Sequence, residues 1–397
     1  MSTFKTLLAA LLLAPALTIS ASSGCSALSG EYHIGGSDAD YPTVAAAIAA
    51  LQCGGVNGPV TFLIADGRYA EKVELGDIFG ISAQNNITFE SEKGNSNDVV
   101  LVSPTPDAEY TLHLSNASFY SFANLTIDNA TGFAGNAVKM EGTTKNVKFR
   151  NVVFNGTQRQ SNGANNAVIY STASGAKSNI SFEDCEVNNG SVGIYKGGAA
   201  TADTRTTVQG TLFFNQYESA MKLNNEAAPV VSNNVISSIS TSKDYKGIAL
   251  DHVTGNMVIS NNVINSVNGT YGIALNNCEG QADNYGTIAN NSVNVGGEGA
   301  MYGLYLTGST DNIVFNFNRV KLATSKDNKS AQAYYTNKAT GANINVMNNI
   351  FYDLSTGGYT VLGNTYKDFF NQLPAQSNAS LTVSANGIMI EKVTPAN

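Results

Sequence analysis

The chain has 397 residues, of which 38 are glycine and 8 are proline; none is tryptophan, and only 13% are charged. Eighteen tyrosines and 17 phenylalanines supply the core material that a disordered chain lacks. The net charge of −8, without any basic run, excludes the surface of a nucleic-acid-binding protein, and the length suits one large solenoid or two ordinary domains.

Residues 1–21 have the pattern of an export signal. Lys5 supplies the positive start, residues 7–19 are apolar, and Ser20-Ala21 offers small residues for cleavage. The apolar run is shorter than the roughly 20 residues that a spanning helix needs, so we predict no transmembrane segment. We expect a protein that is secreted or held at the cell surface. A lipid anchor at Cys25 is disfavoured because Ser22 occupies a place where an apolar residue is usual.

The four cysteines fit an oxidising compartment. Cys25 and Cys53 can pair there and fix the N-terminal part of the fold. Cys185 and Cys278 are separated by more than three of the repeats described below, so we expect two buried thiols. The sequence has no Cys-x-x-Cys pair and no Cys/His cluster, which argues against a zinc site.

Residues 41–51 predict a short apolar helix. Asp40 and Pro42 are its start signals, and Gly54-Gly55 stops it. This helix is too apolar for a solvated position, so we expect it to cover one open end of the core. We assign residues 22–83 to this cap and to the first strands that lead into the repeats.

From residue 84 to residue 358 the chain repeats a small residue followed by an apolar–any–apolar triplet. The repeats start at Thr111, Ala137, Ala167, Gly193, Ala220, Gly247, Gly272, Gly303 and Ala333, at intervals of 25 to 31 residues. Repeats of this period indicate stacked supersecondary units, and the alternation within each is that of a strand. We predict an all-β, single-domain, right-handed parallel β-helix of about ten rungs.

Within each repeat the alternation predicts which side chains face inward. The residues at positions 2 and 4 should form apolar columns along the core, as Ile248 and Leu250 illustrate. Lys196 is an exception at position 4, because an unpaired buried ammonium group is costly. We expect the strand to end before Lys196, or its register to slip.

A second column of mostly Asn residues follows about a dozen residues after the repeat starts. We expect stacked amides or left-handed bends between strands there. The predicted column is Asn129, Asn151, Asp184, Gly210, Asn233, Asn261, Asn290, Phe317 and Asn348. Beyond the repeats, residues 359–397 are assigned to a C-terminal cap and tail, with residues 366–373 as the covering segment.

Two stretches carry a family resemblance. Tyr-Pro-Thr-Val at residues 41–44 and Gly-Pro-Val-Thr-Phe-Leu-Ile-Ala-Asp-Gly-Arg-Tyr-Ala-Glu-Lys-Val at residues 58–73 resemble the opening of pectin methylesterase-like proteins. With the Gly-Ile-x-Leu and Ile-x-Asn-Asn-x-Ile rungs, nearly the whole mature chain resembles the secreted bacterial right-handed parallel β-helix proteins of the pectin lyase-like superfamily. The resemblance implies the fold but no single activity, since that fold hosts lyases, hydrolases, esterases and adhesins.

The catalytic motifs of this superfamily do not carry over. The Gln-Asp-Thr-Leu and Asp-Phe-Ile-Phe-Gly stretches of the methylesterases are absent, as are the Asp-Asp and Gly-His-Gly of polygalacturonases. Pectate lyases of the best-known type carry a Trp near an Asp-His, and this chain has no Trp, although it has Asp251-His252. We therefore transfer no catalytic residue from these classes.

The outward face of the repeats predicts a candidate site. Ala249 and Ala274 occupy position 3 in two consecutive repeats, so they should leave a notch about 10 Å long at ordinary strand spacing. Larger side chains flank this notch. The predicted substrate-binding residues are Tyr195, Asn224, Asn276, Tyr305 and Tyr335, and the predicted catalytic residues are Lys222 and Asp251.

These residue types suit a sugar ligand. Tyrosine rings stack on pyranose faces, and Lys222 can pair with a uronate carboxylate or act as a base if burial lowers its pKa. Asp251 with Asn224 or Asn276 offers oxygen ligands for Ca²⁺. Against this, exposed strand faces of secreted solenoids commonly carry Tyr, Lys and Asn without any ligand.

Two functional hypotheses from different classes follow from this face. The first is a monomeric, exported protein that binds a polysaccharide or surface glycan; whether it also cleaves the glycan, as a lyase or glycoside hydrolase, is left open by the sequence. The second is a non-catalytic surface adhesin or structural protein.

Overall fold

The computed structural model describes residues 24–130, 135–158, 160–198, 203–297, 299–323, 331–336, 343–347, 349–353, 379–384 and 387–392. These residues form a parallel β-solenoid of about 11 turns, which confirms the predicted fold class at slightly more than the expected ten rungs. The predicted export signal and the covering segment at residues 366–373 lie outside the described residues. Each complete turn passes through three sheets, here numbered 1 to 3, whose strands pair in parallel except for the last two strands of sheet 3, which pair antiparallel.

The strands of the three sheets follow one another along the chain. Sheet 1 contains Val73–Leu75, Tyr110–Ser115, Asn136–Glu141, Ile169–Ser171, Val192–Lys196, Ser219–Asn224, Lys246–Asp251, Tyr271–Asn276, Met301–Thr307 and Ala331–Thr336. Sheet 2 contains Leu28–Ile34, Val56–Ile64, Ile87–Ser91, Tyr120–Ala123, Thr144–Arg150, Lys177–Glu183, Asp203–Thr204, Thr207–Gln209, Glu226–Ala227, Val230–Ser232, Val258–Ser260, Gly286–Ala289, Ile313–Asn316 and Ile344–Met347. Sheet 3 contains Gly67–Ala70, Val99–Val102, Thr126–Asp128, Val153–Asn155, Glu186–Asn188, Leu212–Phe214, Val235–Ser238, Val263–Ser266, Ser292–Gly296, Arg319–Ala323, Ile350–Asp353, Ala379–Ser384 and Gly387–Lys392.

Successive turns lie directly on one another, as the repeats predict. Ile248 pairs with Ile273, and Ile273 pairs with Leu304. All three side chains are fully buried. In sheet 2 the same stacking aligns phenyl rings in the core, since Phe149 lies 5.1 Å from Phe122 and 5.2 Å from Phe182, with the rings nearly parallel. The core is thus a set of apolar columns parallel to the solenoid axis.

One repeat differs from the predicted alignment by a single residue. The strand Ile169–Ser171 pairs Ile169 with Val138 and Tyr170 with Lys139. Ile169 is therefore buried, and Tyr170 points outward and stacks on Tyr195 at 5.5 Å, although the sequence alignment placed them the other way round. A shift of one residue exchanges the two faces of a strand, so this repeat adds a tyrosine to the outer face of sheet 1.

The predicted Asn column forms the bends between sheets 2 and 3, and the amide ladder is formed by the residues that follow it. Asn151, Asn261 and Asn290 have φ between 51° and 57°, the left-handed geometry that Asn tolerates. The ladder of side-chain hydrogen bonds of 2.9 Å runs through Asn234, Asn262, Asn291, Asn318 and Asn349. In the predicted column Asn151 Nδ2 donates to Asn124 Oδ1 at 2.9 Å, but the continuous ladder runs one residue later than predicted.

Two residues of the predicted Asn column, Asn129 and Asn348, are not among the observed bends. Asn129 does not belong to it, because it follows the sheet 3 strand Thr126–Asp128, and the equivalent bend is at Asn124 with φ 54°. Asn348 lies outside the described residues.

The predicted N-terminal helix is present at Val44–Gly54. Its N-cap is Thr43, whose Oγ1 accepts a hydrogen bond from Ala46 N at 3.1 Å, and Gly55 ends it with φ 68°. Asp40, predicted as a start signal, instead accepts a hydrogen bond from His33 N at 2.7 Å. One face of the helix is buried in the core cluster. No helix in the described part of the chain is long and apolar enough to cross a membrane.

The cysteines are arranged as the sequence predicts. Cys25 and Cys53 form a disulfide with their Cα atoms 5.7 Å apart, which fixes the segment before the strand Leu28–Ile34 to the end of the helix. Cys185 and Cys278 are free and buried, and burial raises the pKa of each thiol to about 12. Buried thiols with this pKa are unreactive, so they fill space in the core.

Lys196 contradicts both expectations for its position. It ends the strand Val192–Lys196, in unbroken register between Ser171 and Leu223, and it is only 2% exposed. Its ammonium group is 2.7 Å from Glu226 Oε2 and 3.2 Å from Asp203 Oδ2. The strand keeps its register because the carboxylates of Asp203 and Glu226, which come from two other turns of the solenoid, form ion pairs with the buried ammonium group.

Candidate functional site

A depression with a volume of about 450 Å³ lies on the outer face of sheet 1. Ala249 and Ala274 are paired neighbours in its floor. Lys222 precedes them and Tyr305 follows them in the same outward column. The structure therefore places the notch where the alternation predicts it. Six of the predicted site residues line it: Tyr195, Lys222, Asn224, Asp251, Asn276 and Tyr305.

One edge of the depression is a chain of hydrogen bonds between strand ends. Asn276 Nδ2 donates to Asp251 Oδ1 at 2.7 Å, and Thr307 Oγ1 donates to Asn276 Oδ1 at 2.9 Å. His252 Nδ1 is 3.0 Å from the same Asp251 oxygen, and the Asp251 side chain is 44% exposed. These contacts hold the polar groups of three adjacent turns in fixed orientations, with Asp251 accessible to a ligand.

An ion pair with Glu218 holds Lys222 at the end of the depression opposite to Tyr305. Its Nζ donates to Glu218 Oε1 at 2.8 Å and lies 5.1 Å from the centre of the Tyr195 ring. Glu218 Oε2 also accepts a hydrogen bond from Gly163 N at 2.9 Å. Burial opposes ionisation of Glu218, but the hydrogen bonds from Lys222 and Gly163 outweigh it and lower the pKa of this carboxyl. Glu218 therefore stays ionised and keeps Lys222 in place.

A second lysine, which the sequence interpretation missed, lines the same depression. Lys246 Nζ lies 4.9 Å from the centre of the Tyr271 ring and donates to Asp244 O at 3.1 Å. Burial lowers the pKa of Lys246, and the charge of Lys222 acts in the same direction. Lys246 is thus a second cation that can bind an anionic group. Its lowered pKa means that its neutral amine forms at a lower pH than that of an ordinary lysine.

Tyrosines form the wall at the other end. Tyr305 stacks on Tyr335 with centroids 4.9 Å apart and an angle of 8°, and Tyr271 stacks on Tyr302 at 5.2 Å. Tyr271 also meets Tyr305 edge to face at 4.8 Å. Burial raises the pKa of Tyr271 to about 12, so its hydroxyl remains a hydrogen-bond donor at neutral pH. Tyr335, predicted as a binding residue, extends this wall by one turn.

The residues that we missed share one position in the repeat. Lys246, Tyr271 and Tyr302 come directly before Gly247, Gly272 and Gly303, the small residues on which the repeats were aligned. They lie three residues before position 3, so strict alternation would place them on the opposite, inward face of the strand. They are nevertheless only half-buried, because positions 1 and 2 of these strands are both buried and the alternation is broken there, so the sequence pattern could not identify them.

A second, smaller depression lies towards the N-terminal end of the same face. It has a volume of about 290 Å³, and Glu109, Lys139 and Tyr170 are among its lining residues. Beside it, His113 Nε2 is 2.8 Å from Glu141 Oε2. Tyr170 stacks on Tyr195 of the larger depression, so an aromatic surface connects the two.

The hypothesis of a Ca²⁺ site at Asp251 stays a prediction. The described residues contain no group of three or more His, Cys, Asp or Glu side chains that could hold a metal ion. The Asn276 amide directs its nitrogen towards Asp251 and its oxygen towards Thr307. To bind a cation beside Asp251, this amide would have to turn over and present its oxygen.

Comparisons with known proteins establish the fold. No protein-family model matches the sequence, and no curated protein matches it. Among solved structures, the GH136 lacto-N-biosidase from Eubacterium ramulus is similar with a TM-score of 0.54 and 12% identity, covering 84% of this chain and 66% of that one. This chain thus spans about two thirds of that protein's length. At this identity the likeness shows the fold alone.

Two other solved structures are more distant. The surface adhesin PfbA of Streptococcus pneumoniae has a TM-score of 0.46 and 13% identity, covering 87% of this chain and 94% of that one. The pectin methylesterase PemA from Erwinia chrysanthemi has a TM-score of 0.33 and 15% identity, covering 65% and 79%. The likeness to the lacto-N-biosidase and the sheet topology agree on a parallel β-helix, the fold that the sequence resemblance implies.

Proposed function

We propose that this protein is exported and binds a glycan in the depression on the outer face of sheet 1. One observation carries the proposal: tyrosine rings, two lysines and a row of oriented amide, carboxylate and hydroxyl groups converge on a floor of two alanines. A volume of about 450 Å³ is within the range of small-molecule sites. Aromatic faces beside directional polar groups match the alternating apolar and hydroxyl surfaces of a sugar.

Export is part of the proposal. It is supported by the N-terminal signal pattern and by the Cys25–Cys53 disulfide, because such bonds persist in oxidising compartments. A monomeric state is likewise proposed. Lys222 and Lys246 balance the carboxylates of Glu218 and Asp251 locally, so the depression adds no net negative charge of its own against an acidic glycan.

Cleavage of the bound glycan is the second step of the proposal. The exposed Asp251 carboxylate is the group we assign to proton transfer, with Lys222 as its electrostatic partner across the floor. If the depression only binds, the protein is the non-catalytic surface adhesin that formed our alternative hypothesis. The two differ in one observable, the release of product.

The test is incubation of the mature protein with pectins, alginate and neutral glycans, measuring both binding and product release. Ala274→Phe fills the floor without removing a polar group, and we expect it to weaken binding by at least about tenfold. For a Lys222→Ala variant, Lys148→Ala is the matched control, because Lys148 forms a comparable ion pair with Glu183 at 2.6 Å on sheet 2, away from the depression. Binding unchanged by Ala274→Phe would refute the site.

Lys222→Ala and Asp251→Ala separate the two steps. Product release that disappears in both variants, while binding by Asp251→Ala persists, supports cleavage. Binding without release in the wild type identifies the adhesin. Release that neither substitution changes would contradict the catalytic roles.

A further inference from the structure

A cluster of charged side chains lies inside the solenoid, apart from both depressions. Lys196 comes from sheet 1, and Asp203 and Glu226 come from two short paired strands of sheet 2. Lys196 is 2% exposed, and Asp203, Glu226 and Thr206 are fully buried. In the adjacent turn the position of Lys196 is taken by Leu223, so the solenoid does not require a polar group there.

Glu226 is placed as a base for Lys196. Its Oε2 is 2.7 Å from Lys196 Nζ and accepts a second hydrogen bond from Thr206 Oγ1 at 3.0 Å. Its Oε1 accepts from Thr206 N, also at 3.0 Å. A general base needs its oxygen within about 2.6–3.2 Å of the proton donor, and Glu226 satisfies this requirement with both oxygens fixed.

Asp203 is positioned as the electrophile, the carboxyl group that a nucleophile can attack. Its Oδ1 accepts a hydrogen bond from Lys177 N at 2.8 Å, the distance at which a backbone donor stabilises developing negative charge. Its Oδ2 is buried and accepts no hydrogen bond, although it lies only 3.2 Å from Lys196 Nζ. One oxygen is therefore held and the other is free to leave, with an amine beside the same carboxyl group.

We propose that Lys196 and Asp203 form an intramolecular isopeptide bond, with Glu226 as the proton carrier. Glu226 takes a proton from the ammonium group, and the free amine attacks Cγ of Asp203 while Lys177 N stabilises the charge on Oδ1. Glu226 then delivers protons from the nitrogen to Oδ2, which leaves as water. Two of the three ammonium protons depart with Oδ2 and one remains on the amide. The reaction balances without an oxidant or another reactant.

The product resolves an energetic problem of the buried cluster. A buried ion pair repays its desolvation cost only with excellent geometry, and here Asp203 Oδ2 lacks a hydrogen bond. The amide removes one positive and one negative charge from the core. Glu226 keeps both hydrogen bonds from Thr206 and gains the new amide N–H as a donor in place of the ammonium group.

Peptide mass spectrometry of the reduced, alkylated wild-type protein tests this proposal. Trypsin cleaves after Lys177, Lys196 and Arg205 in an unmodified chain and yields peptides 178–196 and 197–205. A cross-linked Lys196 is not a cleavage site. We therefore expect one peptide, 178–205, lighter than its sequence by one water, with fragment ions that join Lys196 to Asp203.

Variants identify the chemistry. Glu226→Gln removes the base with little change of shape, and we expect it to restore cleavage after Lys196 and the full mass. Lys196→Met removes the nucleophile and should also abolish the loss of water. Wild-type peptides 178–196 and 197–205 at full mass would overturn the proposal, as would a water loss located elsewhere. The wild-type result decides the matter even if a variant fails to fold.

Discussion

Replacing Asn291 by Ala tests whether the amide ladder holds adjacent turns together. The Asn291 side chain is 1% exposed and makes four hydrogen bonds. Its Nδ2 donates to Ile259 O and to Asn318 Oδ1, both at 2.9 Å. Its Oδ1 accepts from Asn262 N at 3.0 Å and from Asn262 Nδ2 at 2.9 Å. Alanine removes all four bonds and leaves the Asn262 N–H buried without this acceptor.

The expected cost follows from these bonds. A buried donor without a partner costs about 1–3 kcal/mol, and each of the two lost ladder bonds contributes about 1 kcal/mol. Asn291→Ala should therefore lower the free energy of unfolding by roughly 3–5 kcal/mol. The loss should be greatest in the turns that contact Asn291, because each turn of a solenoid interacts mainly with its neighbours.

The assay is denaturant unfolding monitored by circular dichroism, combined with hydrogen exchange at the backbone N–H of Asn262. Asn290→Gly is the matched control. Asn290 is the preceding residue, is exposed and has φ 57°, a geometry that glycine adopts freely, so this change should cost less than about 1 kcal/mol. If Asn291→Ala is no more destabilising than Asn290→Gly, and the Asn262 amide stays protected, the ladder does not stabilise the fold as we infer.

Three further predictions concern buried or linked groups. Cys185 and Cys278 have pKa values raised to about 12, so iodoacetamide should label them only after unfolding; labelling of the native protein would contradict their burial. Reduction of the Cys25–Cys53 disulfide, whose partners are 28 residues apart, should destabilise the N-terminal cap by about 3 kcal/mol, measured by limited proteolysis with and without reductant. The pKa of Lys246 is lower in the folded protein than its ordinary value of 10.5. At pH values between the folded-state pKa and 10.5 the unfolded state therefore binds more protons, so the free energy of unfolding should rise with pH in that window. A Lys246→Met variant should lose this rise, and an unchanged pH dependence would argue against the shift.

Much of the site was predictable because strand alternation is local. Ala249 and Ala274 occupy equivalent places in consecutive repeats, and that alone identifies a notch between larger side chains. Lys246 and Tyr271 do not follow this rule, because each lies three residues before its alanine and two consecutive buried residues stand between them. The fold followed from the same periodicity, since apolar columns at a fixed interval can be buried only by stacking.

Register and long-range pairing were not predictable in the same way. Tyr170 and the amide ladder each differed from expectation by one residue, because the turns between strands vary in length and a shift of one residue reverses the face. Lys196 fits the core because Asp203 and Glu226 lie beside its ammonium group, and the repeat pattern does not reveal either contact.

The amino-acid sequence by itself determined that this chain forms a stack of short strands and which face of most strands meets solvent. Both properties follow from periodicities along the chain. Side chains alternate every two residues within a strand, and the whole pattern repeats once for each turn of the solenoid. The tertiary structure alone decided which polar groups meet, because contacts such as that between Lys196 and Glu226 join residues 30 positions apart. Their distance depends on the exact length of every turn between them.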